Sequence, residues 1–144
     1  MTKDKKIKLF LVDDDAVFLR LLEIEFLHHA DFDIETFATG ELCIANLSHN
    51  PDVIILDYML DGIEAHAING IETLDRIKAF NPDIPVIMLS AQDKIEVAIN
   101  CMHHKAFDYV MKSETAFLRL KKIINSILHS QKLEMELQWY MDRM

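Results

Sequence analysis

Residues 7–15 read Ile-Lys-Leu-Phe-Leu-Val-Asp-Asp-Asp, an apolar run that ends in three consecutive carboxylates. An apolar run of this length is typical of a buried β-strand. Similar runs recur at residues 32–37, 53–56, 86–89 and 106–111. The segments between them carry apolar residues three and four positions apart, which predicts a helix after each strand. The sequence therefore predicts an α/β protein with a five-stranded parallel sheet covered by helices, a doubly wound arrangement.

The character of each run predicts its place in the sheet. The first, third and fourth runs are apolar throughout, as expected of central strands that are covered on both faces. The second run alternates between apolar and polar residues, and the fifth contains Asp108 and Tyr109, so these two are expected at the edges. With right-handed crossovers the predicted strand order is 2-1-3-4-5.

Polar residues predict where three of the helices begin. Asp15 is expected to cap the first helix. Asp93 and Glu96 have the spacing of a capping box for the fourth helix. Ser113 and the residue after it are expected to open the fifth.

Composition excludes several classes of protein. The 144 residues fit one domain, and 51% hydrophobic with 27% charged residues is not the composition of a disordered chain. No apolar run approaches the roughly 20 residues that span a membrane, so no membrane insertion is expected. A formal net charge of −9 argues against direct nucleic-acid binding. Cys43 and Cys101 are too few for a disulfide scaffold, so a reducing cytoplasm is the expected location.

Polar side chains end four of the five predicted strands. Asp13 and Asp14 follow the first strand, Asp57 the third, Ser90 the fourth and Lys112 the fifth. Ligands of an open α/β sheet bind outside the carboxyl ends of its strands, so these five residues are expected to share one rim. Carboxylates held close together oppose joint ionisation unless a cation shields them. A hard divalent ion such as Mg²⁺ fits such oxygen ligands.

This set of residues suits phosphoryl transfer. A carboxylate can attack phosphorus and carry the group as an aspartyl phosphate, provided that the reactants are positioned and their charge is neutralised. Asp57, alone at the end of the middle strand, is the predicted acceptor. Asp13 and Asp14 are expected to hold Mg²⁺, directly or through water. Lys112 would pair with the carboxylate and then with the phosphoryl oxygens, while Ser90 offers a hydroxyl to the new group.

In this order the residues resemble the receiver domains of two-component response regulators. The resemblance covers roughly residues 6–128, and it rests on Val12-Asp13-Asp14, Asp57, Ser90-Ala91, and Tyr109 placed three before Lys112. It implies a flavodoxin-like fold. It also implies that a sensor histidine kinase or a histidine phosphotransfer protein phosphorylates Asp57 and that the protein dephosphorylates itself.

The resemblance implies further roles at the rim. The main-chain carbonyl of Met59 would complete the Mg²⁺ shell. Ser90 and Tyr109 would form a switch pair, in which the hydroxyl moves toward the phosphoryl group and the ring swings inward behind it. The face made by the fourth helix, fifth strand and fifth helix would change as a result, through a shift between two packings.

The chain departs from the family pattern near the acceptor. Asp61 stands where the family usually has proline, and the Asn69-Gly70 pair comes late, so residues 62–67 are interpreted as part of an insertion. Glu64 or His66 could reach the site from it, or the insertion could be an exposed turn without a chemical role. Ser113 follows Lys112 where the family often has proline, so a trans peptide bond is expected there.

The end of the chain extends beyond a receiver domain. We expect the domain to span residues 1–128 and residues 129–144 to continue the last helix, which begins near Glu114 and reaches about Arg143. Apolar residues recur there with helical spacing, at Leu133, Leu137, Tyr140 and Met144. This tail could pair with a second copy, link to an output module or fold back. A homodimer could form through the last helix or through the switch face.

Three classes of function remain open from the sequence. A phosphorylation-activated switch, which is not an enzyme acting on a diffusible substrate, is the favoured one. A Mg²⁺-dependent phosphatase of small phosphate esters would also use an aspartyl nucleophile, but such enzymes usually carry a second Asp where this chain has Met59. An interaction module that is never phosphorylated is the third, and the intact Asp57 and Lys112 argue against it.

Overall fold

The computed structural model describes residues 6–29, 31–60 and 67–144, and in these residues five strands alternate with five α-helices. The strands are β1 (Ile7–Val12), β2 (Phe32–Phe37), β3 (Val53–Asp57), β4 (Val86–Ser90) and β5 (Asp108–Met111). The helices are α1 (Ala16–Leu27), α2 (Gly40–Ala45), α3 (Gly70–Phe80), α4 (Ile95–His103) and α5 (Ala116–Asp142), and a short 3-10 helix at Leu47–His49 precedes β3.

The strands form one parallel sheet in the order β2-β1-β3-β4-β5. The predicted order and the predicted edge strands are therefore confirmed. The register places Val12 of β1 beside Leu56 of β3, and Asp57 beside Leu89 of β4. Because the strands are parallel and nearly in step, the residues that follow β1, β3, β4 and β5 meet at one rim of the sheet.

Two apolar cores cover the two faces of the sheet. Alternate residues of the central strands point to opposite faces, so that Phe10 and Ile54 join one core while Leu9 and Ile55 join the other. The first core is completed by α2, α3 and α4, and the second by α1 and α5. Each large side chain that is fully buried in these cores contributes about 2 kcal/mol to the free energy of unfolding. The helices are thus fixed on both sides of the rim.

The strand boundaries follow the predicted ones closely. β1 and β2 coincide with prediction, and β3 and β4 each run one residue further because Asp57 and Ser90 continue the ladders. The predicted start of β5 at residue 106 is wrong, since the strand begins at Asp108. Lys105 has a left-handed backbone with φ 76°, and the N–H of Ala106 bonds back to the end of α4, so the chain is still turning there.

The predicted starts of α4 and α5 are wrong, whereas that of α1 is confirmed. The Asp15 carboxylate accepts hydrogen bonds of 3.1 Å from the N–H groups of Val17 and Phe18 in the first turn of α1. Asp93 and Glu96 form no capping box, because Lys94 precedes the helix and no described side chain caps this end. α5 begins after Thr115. Ser113 instead lies in the preceding turn, where its hydroxyl is 3.2 Å from the hydroxyl of Thr115.

Helix α5 continues far beyond the body of the domain. Its 27 residues bury Ala116, Leu120, Ile124 and Ile127, but every residue from 131 to 144 is exposed. The predicted end near Arg143 agrees with the observed end to within one residue. Among the described residues, no helix combines the length and the apolarity that a membrane span requires.

Two smaller expectations concern the loops and the cysteines. Residues 62–66 of the interpreted insertion, with Glu64 and His66, lie outside the described residues, as does Asp61. The Lys112–Ser113 peptide bond is trans, as expected. Cys43 and Cys101 are buried free thiols, one in each of two helices of the same core.

Candidate functional site

Three carboxylates meet at the rim where β1 and β3 lie side by side. Asp13 and Asp14 follow β1, Asp57 ends β3, and one carboxylate oxygen from each lies within 4.8 Å of the others. Asp13 and Asp57 are each only 3% exposed. The predicted acidic cluster is therefore assembled by the pairing of two neighbouring strands, and two of its carboxylates are almost completely shielded from water.

The Asp57 carboxyl is the most perturbed group of the cluster. Its pKa is raised from 3.8 to about 8, chiefly by burial and also by the nearby Asp13 carboxylate, while the Lys112 ammonium acts in the opposite direction. The N–H of Met59 donates a hydrogen bond of 3.3 Å to Asp57 Oδ1. Without an additional cation the protein thus favours the protonated form of this carboxyl near neutral pH.

Lys112 brings a positive charge to the same place from the end of β5. Its Nζ lies 2.8 Å from Asp13 Oδ2 and 3.5 Å from Asp57 Oδ1. Burial alone would lower the pKa of this ammonium, but the contacts with Asp13 and Asp57 outweigh it and the pKa is raised. Lys112 therefore stays protonated and bridges two of the three carboxylates.

The oxygens of Asp13 and Asp14 differ in what they contact. Asp13 Oδ1 accepts the N–H of Asp15 at 2.9 Å, and Asp13 Oδ2 is engaged by Lys112. Asp14 Oδ2 is buried and has no hydrogen-bond partner among the described residues. A buried carboxylate oxygen without a partner is costly, and three clustered carboxylates are the donor set that a hard divalent ion prefers. The residues present therefore fit Mg²⁺.

The cluster opens to solvent through a cleft of about 520 Å³. Asp14, Asp57 and Lys112 lie on its walls, together with Val17 of α1 and Met59 of the loop after β3. Val17 is 70% exposed and Met59 is 46% exposed. A small phosphodonor, or a side chain of another protein, can thus approach Asp57 from this side.

The two predicted switch residues hold the backbone of the same residue. The Oγ of Ser90, which is fully buried, accepts the N–H of Gln92 at 3.1 Å. The hydroxyl of the half-buried Tyr109 donates to the carbonyl of Gln92. The carbonyl of Ser90 also accepts the N–H of Lys112 at 2.7 Å. Ser90 and Tyr109 are thus linked through the loop between β4 and α4.

Sequence reasoning did not find the positional role of Gly70. The first turn of α3 touches the loop after the acceptor, and the Gly70 N–H donates to the Tyr58 carbonyl at 3.1 Å. A Cβ on Gly70 would lie 2.4 Å from the carbonyl oxygen of Asp57 and 2.7 Å from that of Tyr58. Only glycine allows this approach. Asn69, which caps α3, marks the turn in the sequence, but nothing local reveals the contact.

Phe18 and Gln92 were also missed. The Phe18 ring lies beneath the Lys112 ammonium, with 4.7 Å from Nζ to the ring centroid. Phe18 has the helical spacing of a core residue, and Gln92 is an ordinary loop residue, so no sequence signal separates them from their neighbours. The Met59 carbonyl stays a predicted metal ligand, since the observed contact of Met59 with Asp57 is made by its N–H.

The parallel sheet in the order 2-1-3-4-5, with carboxylates where β1 and β3 end, defines the doubly wound flavodoxin-like class of α/β proteins. Within this class, a family model described as the response regulator receiver domain matches residues 9–125. The chain belongs to the response regulator receiver domain family. The family and the fold predicted from the sequence are confirmed.

Individual relatives agree with this assignment. The regulatory protein LuxO of Vibrio vulnificus (strain YJ016) is 30% identical over 122 residues, which is 84% of this chain and 26% of the relative. A protein-glutamate methylesterase/protein-glutamine glutaminase of Clostridium acetobutylicum is 37% identical over 119 residues, which is 78% of this chain and 32% of the relative. The chain thus spans about a quarter to a third of the length of these relatives.

Solved structures agree as well. The BeF3-activated DrrB receiver domain superposes with a TM-score of 0.73 at 27% identity, covering 86% of this chain and 98% of that one. The receiver domain of NtrX from Brucella abortus gives 0.73 at 25% identity, covering 84% and 98%.

The chain is therefore a receiver domain of two-component response regulators, a class that phosphorylation activates. Receiver domains are phosphorylated by histidine kinases, bind Mg²⁺ at an acidic cluster and are generally not enzymes apart from their own phosphorylation. The alternative of a small phosphatase is not favoured by these matches.

Proposed function

We propose that Asp57 accepts a phosphoryl group from a phosphohistidine of a sensor histidine kinase or a histidine phosphotransfer protein. The observation that carries this proposal is the group of three carboxylates within 4.8 Å, two of which are contacted by Lys112. Asp57 is preferred as the acceptor because it both lines the open cleft and contacts Lys112. Asp14 lines the cleft without a salt bridge to Lys112, and both oxygens of Asp13 are engaged by Asp15 and Lys112.

The transfer itself exchanges one bond of phosphorus for another. A carboxylate oxygen of Asp57 attacks phosphorus, and a P–O bond forms while the P–N bond to the donor imidazole breaks. The electron pair of that bond returns to the imidazole nitrogen, and the ring, which carries a proton on its other nitrogen, leaves as neutral histidine. Lys112, already 3.5 Å from Asp57 Oδ1, neutralises charge on the phosphoryl oxygens as they arrive.

Magnesium would be held by the side chains of Asp13, Asp14 and Asp57 and by the main-chain carbonyl of Met59. The unpartnered Asp14 Oδ2 supports this assignment, because a cation supplies what the protein does not. When bound, the ion offsets the negative charge that gathers on the carboxylates and the phosphoryl oxygens.

Ser90 and Tyr109 would carry the signal away from the site. Ser90 Oγ accepts from Gln92, so its own proton is free to be donated to a phosphoryl oxygen. A shift of Ser90 pulls on the Gln92 backbone, which Tyr109 also binds. We place the readout on α4, β5 and α5, because α4 exposes apolar side chains in one helical stripe there: Ile95, Ile99 and Met102.

The rest of the molecule would serve this switch. We assign residues 1–128 to the receiver domain and residues 129–144 to an extension that contacts a second copy or a partner. A homodimer would form through α5 or through the α4, β5 and α5 face. A cytoplasmic location suits the two free cysteines, which persist in a reducing compartment.

Labelling with a small phosphodonor tests the proposed function. The purified chain is incubated with acetyl phosphate and Mg²⁺, and the modified residue is identified by mass spectrometry after reduction with borohydride. We expect stoichiometric modification of Asp57, none in Asp57→Asn, and wild-type modification in the exposed control Asp83→Asn. Modification of another residue, or turnover of small phosphate esters without a labelled intermediate, would contradict the proposal.

A further inference from the structure

The aromatic ring of Phe18 lies against the ammonium of Lys112, which is the one ammonium beside the acidic cluster among the described residues. Phe18 lies in the first turn of α1, and its ring centroid is 4.7 Å from Lys112 Nζ. The other contacts of Nζ are carboxylates, with Asp13 at 2.8 Å and Asp57 at 3.5 Å. The ammonium thus has negative oxygens on one side and the face of a ring on another.

The ring can hold the ammonium without competing for its hydrogen bonds. The face of an aromatic ring carries partial negative charge and attracts a cation, most strongly where water is excluded. The Lys112 side chain is only 16% exposed. A carboxylate at this position would form a third ion pair, whereas the ring leaves all N–H groups of Lys112 available to oxygen acceptors.

Phe18 also borders a second, smaller depression between α1 and the start of α5. This depression measures about 170 Å³ and is lined by Phe18, Phe117 and the carboxylates Glu25 and Glu114, among others. Phe18 packs against the core on this face of the sheet as well. The ring therefore contacts Lys112 on one side and lines this small depression on the other.

We propose that Phe18 is a positioning residue for phosphoryl transfer, because its ring keeps the Lys112 ammonium directed at Asp13 and Asp57. This inference rests on the proposed roles of Asp57 and Lys112 and adds a residue that does not touch the phosphoryl group. Leucine or methionine at this position fills space but offers no ring face. The ammonium then samples more orientations, and fewer of them neutralise the incoming phosphoryl oxygens.

The test compares ring-free and ring-bearing substitutions at Phe18. Phe18→Leu and Phe18→Met should be labelled by acetyl phosphate about three- to tenfold more slowly than wild type at saturating Mg²⁺, which matches the usual strength of a shielded cation–π contact. Phe18→Tyr keeps the ring and should be labelled at the wild-type rate. Phe117→Leu removes a ring from the same depression but away from Lys112, and it should also be labelled normally.

A spectroscopic measurement separates positioning from a general loss of structure. Lys112 Nζ lies over the ring at 4.7 Å, so the protons of the ε-methylene bonded to it should resonate upfield in wild type, in Phe18→Tyr and in Phe117→Leu. In Phe18→Leu and Phe18→Met they should move to the position of an ordinary lysine. If either ring-free variant does not fold, the other, compared with Phe18→Tyr, still decides the matter.

The possible failures are distinguishable. If wild-type protein is not labelled at Asp57, the proposed function fails and the Phe18 variants are irrelevant to it. If wild type is labelled while folded ring-free variants keep the wild-type rate, the positioning role alone is wrong. If Phe18→Tyr is labelled as slowly as the ring-free variants, the positioning role is also wrong.

Discussion

Strand β1 lies between two charged clusters that differ in burial. At its start, Lys8 Nζ lies 2.7 Å from Glu35 and 3.2 Å from Asp33, with side chains 22%, 27% and 56% exposed. At its end, Lys112 contacts Asp13 and Asp57, with side chains 16%, 4% and 3% exposed. The distances are alike, but the carboxylates of the second cluster are far less exposed to water.

The difference in burial changes what the charges do. The hydrogen bond from Lys8 lowers the pKa of Glu35, so ionisation of Glu35 is favoured in the exposed cluster. Burial raises the pKa of Asp57, so the buried cluster holds a carboxylate that is ionised only at a cost. That cost is relieved by a cation or by a phosphoryl group with its cation. The exposed cluster supports the sheet, whereas the buried cluster is prepared for a ligand.

Removing the buried ammonium should give the largest effect on stability. Lys112→Met leaves Asp13 and Asp57 without their cation, and breaking a buried ion pair typically costs 3 kcal/mol or more. We expect the free energy of unfolding, measured by urea denaturation in EDTA near pH 7.5, to fall by about 3 kcal/mol. A loss below about 1 kcal/mol would mean that the buried cluster behaves like the exposed one.

Magnesium should stabilise the protein through the buried cluster alone. At a concentration one hundred times its dissociation constant, an ion that binds only the folded state adds about 2.7 kcal/mol to the free energy of unfolding. The gain should be lost in Asp14→Asn and kept in the exposed control Asp83→Asn, as measured by thermal or urea denaturation. An equal gain in all three proteins would point to binding elsewhere.

Neutralising the acceptor should stabilise the magnesium-free protein while abolishing labelling. The folded pKa of Asp57 lies near 8 and the unfolded one near 3.8, so its ionisation opposes folding as pH rises through this interval. Below about pH 3.8, wild type and Asp57→Asn should be nearly equally stable. The advantage of the variant should grow as pH rises toward 8, and near pH 8 in EDTA it should exceed about 1 kcal/mol. Parallel pH profiles would contradict the shift.

Breaking the exposed cluster should have the smallest effect. Lys8→Met removes the cation that Asp33 and Glu35 share, and exposed pairs contribute less than about 1 kcal/mol. We expect a correspondingly small loss of unfolding free energy and an unchanged rate of labelling by acetyl phosphate. The variant is also the matched control for Lys112→Met, since both replace lysine by methionine in an ion cluster next to β1.

The strands and the acidic cluster could be predicted because their causes are local. Uninterrupted apolar runs mark the central strands. The residues that follow parallel strands must share one rim of the sheet, so the sequence alone predicts that Asp13, Asp57 and Lys112 lie close together. The helix start expected at Asp93 was wrong because contacts with the distant side chains of Ser90 and Tyr109 hold that loop. The start expected at Ser113 was wrong for a local reason, since its hydroxyl lies 3.2 Å from that of Thr115 in a turn and the helix begins only at Ala116.

The contacts of Gly70 and Phe18 could not be predicted because they depend on how helices approach the rim. Each is a distance between segments far apart in the chain, 2.4 Å for a Cβ placed on Gly70 and 4.7 Å for the Phe18 ring. A single sequence records the residue but not the neighbour. The same holds for the unpartnered oxygen of Asp14, which is visible only once burial is known.

The length of α5 makes it a lever. Beyond Ile127 the helix continues without a break to Asp142, which at 1.5 Å per residue is about 22 Å of rod. A change of about 5° in the tilt of its base moves the far end by about 2 Å, enough to break a hydrogen bond. A small adjustment of packing near Lys112 would thereby become a larger displacement at the exposed end of the helix.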